Sequence, residues 1–480
     1  MSGESKIDFD TIPNILRELH DDVITLLACS LVSRAFRSPS QKLIFFSVVL
    51  KDSESPSLAA GERCHKLWKT LEKKPQFITD IRELCLSDGT RSKKNPHWVP
   101  KNTSLPRILS ILGNLRSFSL ISEKSKLSWG EFSEELQCSI RQLLRCPSLT
   151  TLRLWDIVGL PRTILAQSPQ LKTLSLASKQ EDPHVQPGHS SSIRSLDSLE
   201  LIQKKSRSFD RQGLLSQLDL SKLRFLAVVA STKECLREAA RIMTTAVSHI
   251  ESFSWTCLPS RSLPTREDEF RSFPFDFAKL TRLRFFSFSF PTDKQRRATE
   301  AIAWMIKTLS KLDITQNIEA IIINVDLTSI DNRDILLVQE TTEAICGRKE
   351  WDALDSILAD CYKRQKLQRV TFAITYRYRG PTYGTAKEIL AKDTSKRWVK
   401  TLLARSFPLL WKRKVLQVLL LESAPTEWGW RMIEADVPSA GKTYDGDLPR
   451  LPSHRPKSSR MIENINNAKY LRRCLEGRAW

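Results

Sequence analysis

The sequence predicts an α/β solenoid: strand–helix units stacked along a parallel strand ladder, with a three-helix module at the N-terminus. Three observations predict it. A strand-like phrase, apolar-x-x-apolar-x-apolar, recurs along the chain; segments with helical periodicity separate the copies; and the first fifty residues form a short apolar stretch of different texture. With 480 residues, 41% of them hydrophobic, the chain can bury a large core, which excludes wholesale disorder.

The phrase first reads Ile81, Leu84, Leu86, then Leu115, Phe118, Leu120, then Leu149, Leu152, Leu154, then Leu171, Leu174, Leu176. It continues as Leu196, Leu199, Leu201, then Leu223, Leu226, Val228, then Ile250, Phe253, Trp255, then Leu283, Phe286, Phe288. The last three copies are Ile318, Ile321, Ile323, then Leu367, Val370, Phe372, then Val415, Val418, Leu420. Start-to-start spacings run from 22 to 49 residues, and the central ones fall in the leucine-rich-repeat range, so the outer units carry insertions. Phe132–Leu144 and Thr299–Leu309 have the apolar spacing of connecting helices. Turn residues such as Cys146-Pro147-Ser148 and Ser168-Pro169-Gln170 precede the next phrase. A single unit cannot bury its own apolar face, so neighbours must stack.

Period-2 alternation turns the two closest apolar residues of each phrase inward and their neighbours to the open, concave face. Those neighbours are Ser117 and Ser119, Arg153 and Trp155, Thr173 and Ser175, Phe225 and Ala227, Phe285 and Ser287, and Arg369 and Thr371. Arg153, Trp155, Phe225, Phe285 and Arg369 are the candidate residues for holding a protein client, because aromatics and arginines carry most interface energy. Either a partner or the chain's own loops and tail would cover those aromatics.

Residues 12–50 read as three helices. Ile12–Leu19 leads to an acidic break at His20-Asp21-Asp22; Thr25–Phe36 forms a second helix; Leu43–Phe46 follows Pro39. Leu27, Ala28, Leu31, Val32, Ala35 and Phe36 make a stripe wider than a module of this size can bury internally, which predicts docking against another protein.

The string HDD…TLLACSLVSRAF…LIFFSVVL resembles the F-box-like domain that opens many F-box proteins of mushroom-forming fungi, and RCHKLWKTLEKKPQFITDIRELCL resembles the helix and first repeat strand that follow it there. The similarity covers residues 12–86; beyond them the chain resembles the family only as a diverged leucine-rich-repeat array. The resemblance implies a non-enzymatic adaptor: the module binds Skp1, which joins it to a cullin–RING ubiquitin ligase, and the repeats capture a client. Carried over by position, the Skp1 contacts would be Ile15, Leu16, Leu19, Leu27, Leu31, Val32 and Phe36. The family opens with Leu-Pro-acid and a first helix about four residues longer; here Ile12-Pro13-Asn14 stands close to His20, so the helix starts late with Pro13 in its first turn, or is shortened.

The expected domains are 1–50 (F-box-like), 51–75 (connecting helix), 76–425 (repeats) and 426–480 (basic tail). The net charge of +21 lies outside the near-neutral first fifty residues and is spread rather than clustered. A diffuse positive field favours an acidic partner; without a Lys/Arg block or an aromatic-interleaved basic motif, nucleic acid ranks below a protein. Ten cysteines with no CxxC read as reduced thiols, not as metal ligands or disulfides. Ser439-Ala440-Gly441-Lys442-Thr443 lacks the first glycine of a phosphate loop, Asp436 standing in its place, and Cys64-His65 are adjacent and cannot face each other as nucleophile and base. No catalytic constellation, cofactor or metal is expected. No apolar run reaches membrane-spanning length and no signal-like start is present, which suggests a cytoplasmic or nuclear protein.

Overall fold

The structure, a computed structural model, describes residues 11–20, 22–51, 60–89, 97–122, 126–177, 195–202, 218–230, 233–257, 277–291, 318–326, 349–364, 367–376, 406–413, 415–423 and 430–435, with single helical positions between 303 and 310. It divides into two compact units, Met1–Leu223 and Arg224–Trp480, a boundary inside the stretch that the repeat reading treats as one domain. Both are α/β, with parallel strands paired in chain order.

The first unit opens with α1 (Ile12–Glu18), α2 (Val23–Val32) and α3 (Arg34–Phe46). Pro13 sits in the first turn of α1, where a missing N–H costs nothing. The single helix expected over Thr25–Phe36 is corrected: it breaks at Ser33, whose extended backbone ends α2 and whose hydroxyl accepts from Phe36 N at 3.4 Å to start α3. The expected stripe is therefore split between two helices. Pro39 does not end the helix either, because Leu43 and Ile44 beyond it pack on the module's core of Ile12, Leu16 and Leu26.

From α3 the chain runs directly into a strand that the sequence reading missed, β1 (Ser47–Lys51). It pairs with β2 (Glu83–Asp88), Val48 opposite Leu84 and Leu50 opposite Leu86. The expected boundary at residue 50 is thus corrected: the module's last residues belong to the sheet, and Phe45 stacks on Phe77 at 4.2 Å. The connecting helix α4 spans Ala60–Lys73 and is followed by β2, α5 (Ser104–Ile111) and β3 (Ser117–Ser122). Next come β4 (Leu127–Ser128), α6 (Glu134–Leu144), β5 (Thr151–Trp155), β6 (Ile157–Val158), β7 (Thr173–Ala177) and β8 (Ser198–Ile202). β4 and β6 form a small separate pair, and the other six strands make one parallel sheet.

Register follows the phrase. Leu84, Phe118, Leu152, Leu174 and Leu199 stand side by side, each nearly or fully sealed, and form one rung of the core. The first residue of each phrase is buried as well, although it stands three positions before the second, an odd step that alternation would turn to the other face. The break in alternation has a hydrogen-bonding cause. The carbonyl just before each strand accepts two N–H groups from the next unit: Arg116 O takes Thr150 N at 3.0 Å and Thr151 N at 2.9 Å, and Thr150 O takes Lys172 N at 2.9 Å and Thr173 N at 3.0 Å. Each turn is thereby tied to the one before it.

The second unit repeats the scheme with β9 (Phe225–Ala230), α7 (Lys233–Thr245), β10 (Ser252–Cys257), β11 (Phe285–Pro291), β12 (Ala320–Asp326), α8 (Lys349–Arg364), β13 (Arg369–Tyr376), α9 (Pro408–Lys412), β14 (Leu416–Ser423) and β15 (Trp430–Ala435). Its rungs are aromatic: Phe253 lies 6.1 Å from Phe286, Trp255 lies 4.9 Å from Phe288, and Trp351 packs edge-on to Phe372 and Phe407. Asp355, almost fully buried, accepts from Leu409 N at 2.8 Å and Leu410 N at 3.1 Å and so starts α9. Two expectations are corrected here. The last phrase slips by two residues, with Val418 opposite Phe372 and Leu416 opposite Val370. The tail expected from residue 426 yields β15, antiparallel to β14.

Leu152→Ala should cost about 2–5 kcal/mol in a denaturant melt, since it empties a fully sealed rung. Leu31→Ala, at an open surface position, should change stability by less than about 0.5 kcal/mol.

Candidate functional site

Helix α2 is apolar on all sides, and only one side is used. Inward, Leu26 is sealed and Cys29 packs on the module core. Outward, Ile24, Leu27, Leu31 and Val32 face solvent; Leu31 is 81% exposed and Val32 75%. At 100° per residue these four occupy one stripe of the helix. On α1, Ile15 is exposed too.

The seven expected docking residues therefore separate. Ile15, Leu27, Leu31 and Val32 are open. Leu19 and Phe36 are half-buried against the core. Leu16 is corrected: at 0% exposure it is a core residue with no surface to offer. Ile24 was missed, although its spacing of three and seven from Leu27 and Leu31 is a helical signal.

The start of α2 is fixed by Asp22, whose carboxylate accepts from Thr25 N at 3.0 Å and from Thr25 Oγ1 at 2.6 Å. The Thr25 hydroxyl and then its N–H hold the Asp22 carboxyl below the usual carboxylate range.

On the strand face turned away from the leucine core, the candidate residues fall in two places. Arg153 and Trp155 share β5 in the first unit, and both are half-buried. The Trp155 indole donates to Ser175 Oγ at 2.8 Å, and Ser175 donates to Glu200 Oε2 at 2.6 Å. Glu200 was not anticipated, although it occupies the alternating position on β8 that Arg153 holds on β5. Ser119, Ser175 and Thr371, expected on the open face, are corrected: all three are buried.

Phe225, Phe285 and Arg369 share one register row of the second unit, with Ser252 and Ala320 between them. Neither phenylalanine presents a bare ring. Arg224 lies over Phe225 at 5.2 Å and Arg284 over Phe285 at 5.4 Å. Each arginine also grips a glutamate of the next strand through two bonds, Arg224 to Glu251 at 2.9 and 2.7 Å and Arg284 to Glu319 at 2.7 and 2.8 Å. The Arg224 bonds hold the Glu251 carboxyl low, and Glu319 raises Arg284. Arg369 is half-buried and engaged by a neighbour.

Chemistry elsewhere is sparse. Cys64 is fully buried, and burial pushes its thiol up to about 12, far from a nucleophile's range. Among the described residues, no three His, Cys, Asp or Glu side chains gather as a metal would require, and no helix is long and apolar enough to cross a membrane. The motif at 439–443 and the helix expected over Ile462–Leu475 lie outside the described residues. No family model matches the chain, and no curated protein matches it either.

Asp22→Ala should lower stability by about 0.5–2 kcal/mol at neutral pH, the usual cost of a lost helix cap. Because the folded carboxyl titrates below its unfolded value, its contribution is present above the unfolded pKa and lost as pH falls through the folded one. Thermal melts of the two proteins should begin to converge only as pH falls below about 4 and meet once pH is below the folded pKa.

Proposed function

We propose that the chain is a non-catalytic substrate receptor of a Skp1–cullin–F-box ubiquitin ligase, in which the three N-terminal helices grip a Skp1-like adaptor and the strand ladders hold a protein client. The observation that carries this reading is the outward stripe of α2. Four aliphatic side chains on two and a half turns of helix, most of them open, are costly to leave in water and are the chemistry of a helix-in-groove contact. Full burial of each aliphatic side chain is worth about 1.5–3 kcal/mol before the costs of association. The resemblance of residues 12–86 to fungal F-box-like proteins points the same way.

The proposal takes both sheets as a degenerate leucine-rich-repeat solenoid. In-order parallel pairing, one phrase per strand and carbonyl-linked turns all suit that reading. It assigns the protein to the cytoplasm or nucleus, where such ligases act. A second reading, a repeat scaffold without a ligase link, draws on the charge of +21, which favours an acidic protein or nucleic acid.

Capture by purified Skp1 tests the first reading. The unmutated protein should be retained, and Leu31→Asp with Val32→Asp should abolish retention while leaving the melting temperature nearly unchanged, because neither side chain supports the core. No retention of the unmutated protein would leave the scaffold reading. That scaffold, if it binds nucleic acid, should show a steep log–log dependence of affinity on salt.

A further inference from the structure

On the first unit's strand face, Arg153 has no acceptor among the described residues. Across β2, β3, β5, β7 and β8 the middle outward position is held in register by Cys85, Ser119, Arg153, Ser175 and Glu200. Neighbouring strands lie about 4.8 Å apart, so Arg153 is flanked on both sides by short serines and stands well above them.

The polar groups around it are already committed to each other. Ser175 accepts from Trp155 and donates to Glu200, so the Glu200 carboxylate is tied down on the far side of Ser175. Arg153 makes no hydrogen bond or ion pair with any described residue, and its Nε is sealed from solvent without a partner. A guanidinium that has lost water at Nε without gaining an acceptor is under-solvated, and an anion at its other nitrogens would offset that cost.

We propose that Arg153 anchors a carboxylate side chain, Asp or Glu, of the protein client, with the Trp155 indole as the flat wall beside it. This rests on the client-receptor half of the reading above. The fork of a single guanidinium matches a carboxylate in bidentate geometry. A phosphate fits less well: its second negative charge would double the repulsion from Glu200, two strands away, and no second arginine occupies this row. The overall charge of +21 draws an acidic segment toward the molecule before the anchor is reached. An arginine at this position costs the fold something and bonds none of the described residues; a carboxylate client supplies a use for it.

The test is binding of the full chain to an array of random short peptides carrying Glu, Gln or phosphoserine at a fixed central position. Glu peptides should bind about tenfold more tightly on average than Gln peptides, the scale of one charge-assisted contact. Arg153→Gln should erase that difference without weakening the Gln set. Arg153→Met should melt at the same temperature as the parent or higher, since no internal bond is lost. Three results would overturn the proposal: no preference for Glu over Gln, stronger binding of phosphoserine than of Glu, or a fall of more than about 5 °C in the melting temperature of Arg153→Met, which would show that the arginine serves the fold. Skp1 capture reports separately. If capture persists without Glu preference, the anchor fails alone; if Glu preference persists without capture, the ligase assignment fails alone.

Discussion

The backbone carbonyl just before each strand does more to organise this chain than any side chain. By accepting two N–H groups from the next unit, Arg82, Arg116, Thr150 and Lys172 in the first unit and Arg224, Glu251, Arg284 and Glu319 in the second reset the register at eight turns. Where that tie is made, the next strand is delivered to the same place whatever length of chain lies between; β14, without it among the described residues, pairs two residues out of step with its phrase. Spacings from 22 to 49 residues are therefore compatible with straight rungs of Leu, Phe and Ile. Loop closure grows costlier only slowly with length, so long insertions weaken the sheet little. The same tie explains the odd step of three residues inside each phrase: one residue turns, the next starts the ladder, and alternation begins there.

Once one strand face is committed to the core, the other has limited chemistry. In the first unit it is paved with serine and threonine, and Arg153, Trp155 and Glu200 rise from it. In the second, arginines cap the phenylalanines and pair with glutamates across strands, which turns a row of aromatic rings into a mixed charged surface. The most exposed aliphatic side chains among the described residues, Leu31 and Val32, are elsewhere, on the short helix α2. Fastening that helix to the sheet through α3, β1 and the Phe45–Phe77 stack holds it firmly with its outer side free.

The phrase was readable because sealing a strand face requires apolar residues at fixed alternation, and all of its described members are buried. Two members were misread for physical reasons. Phe45, Val48 and Leu50 carry the same spacing as later copies, but they follow an apolar helix without a turn residue, so their period merges with it. The two-residue slip at Val418 is invisible to a pattern of period two, since it leaves every side chain on the same face. In α2, periodicity could not separate sealed Leu26 from open Leu31: a helix apolar all round gives no sign of which side turns inward. Ser33 reads equally well inside a helix or as the cap of the next one, until Phe36 N is seen on its hydroxyl.

By itself, then, the sequence determined the α/β class, the positions of most ladder strands and the core residues that line them, because those follow from local alternation and from the area that must leave water. The tertiary structure decided the rest: that Leu31 and Val32 stay open while Leu16 is sealed, that Phe225 and Phe285 are capped by arginines held by glutamates, and that Arg153 finds no acceptor among the described residues. Each of these depends on what stands on a neighbouring strand or helix, as the glutamates 27 and 35 residues away that hold Arg224 and Arg284 over the rings show. Distances of that kind are set by how the units stack, and no local pattern of residues encodes them.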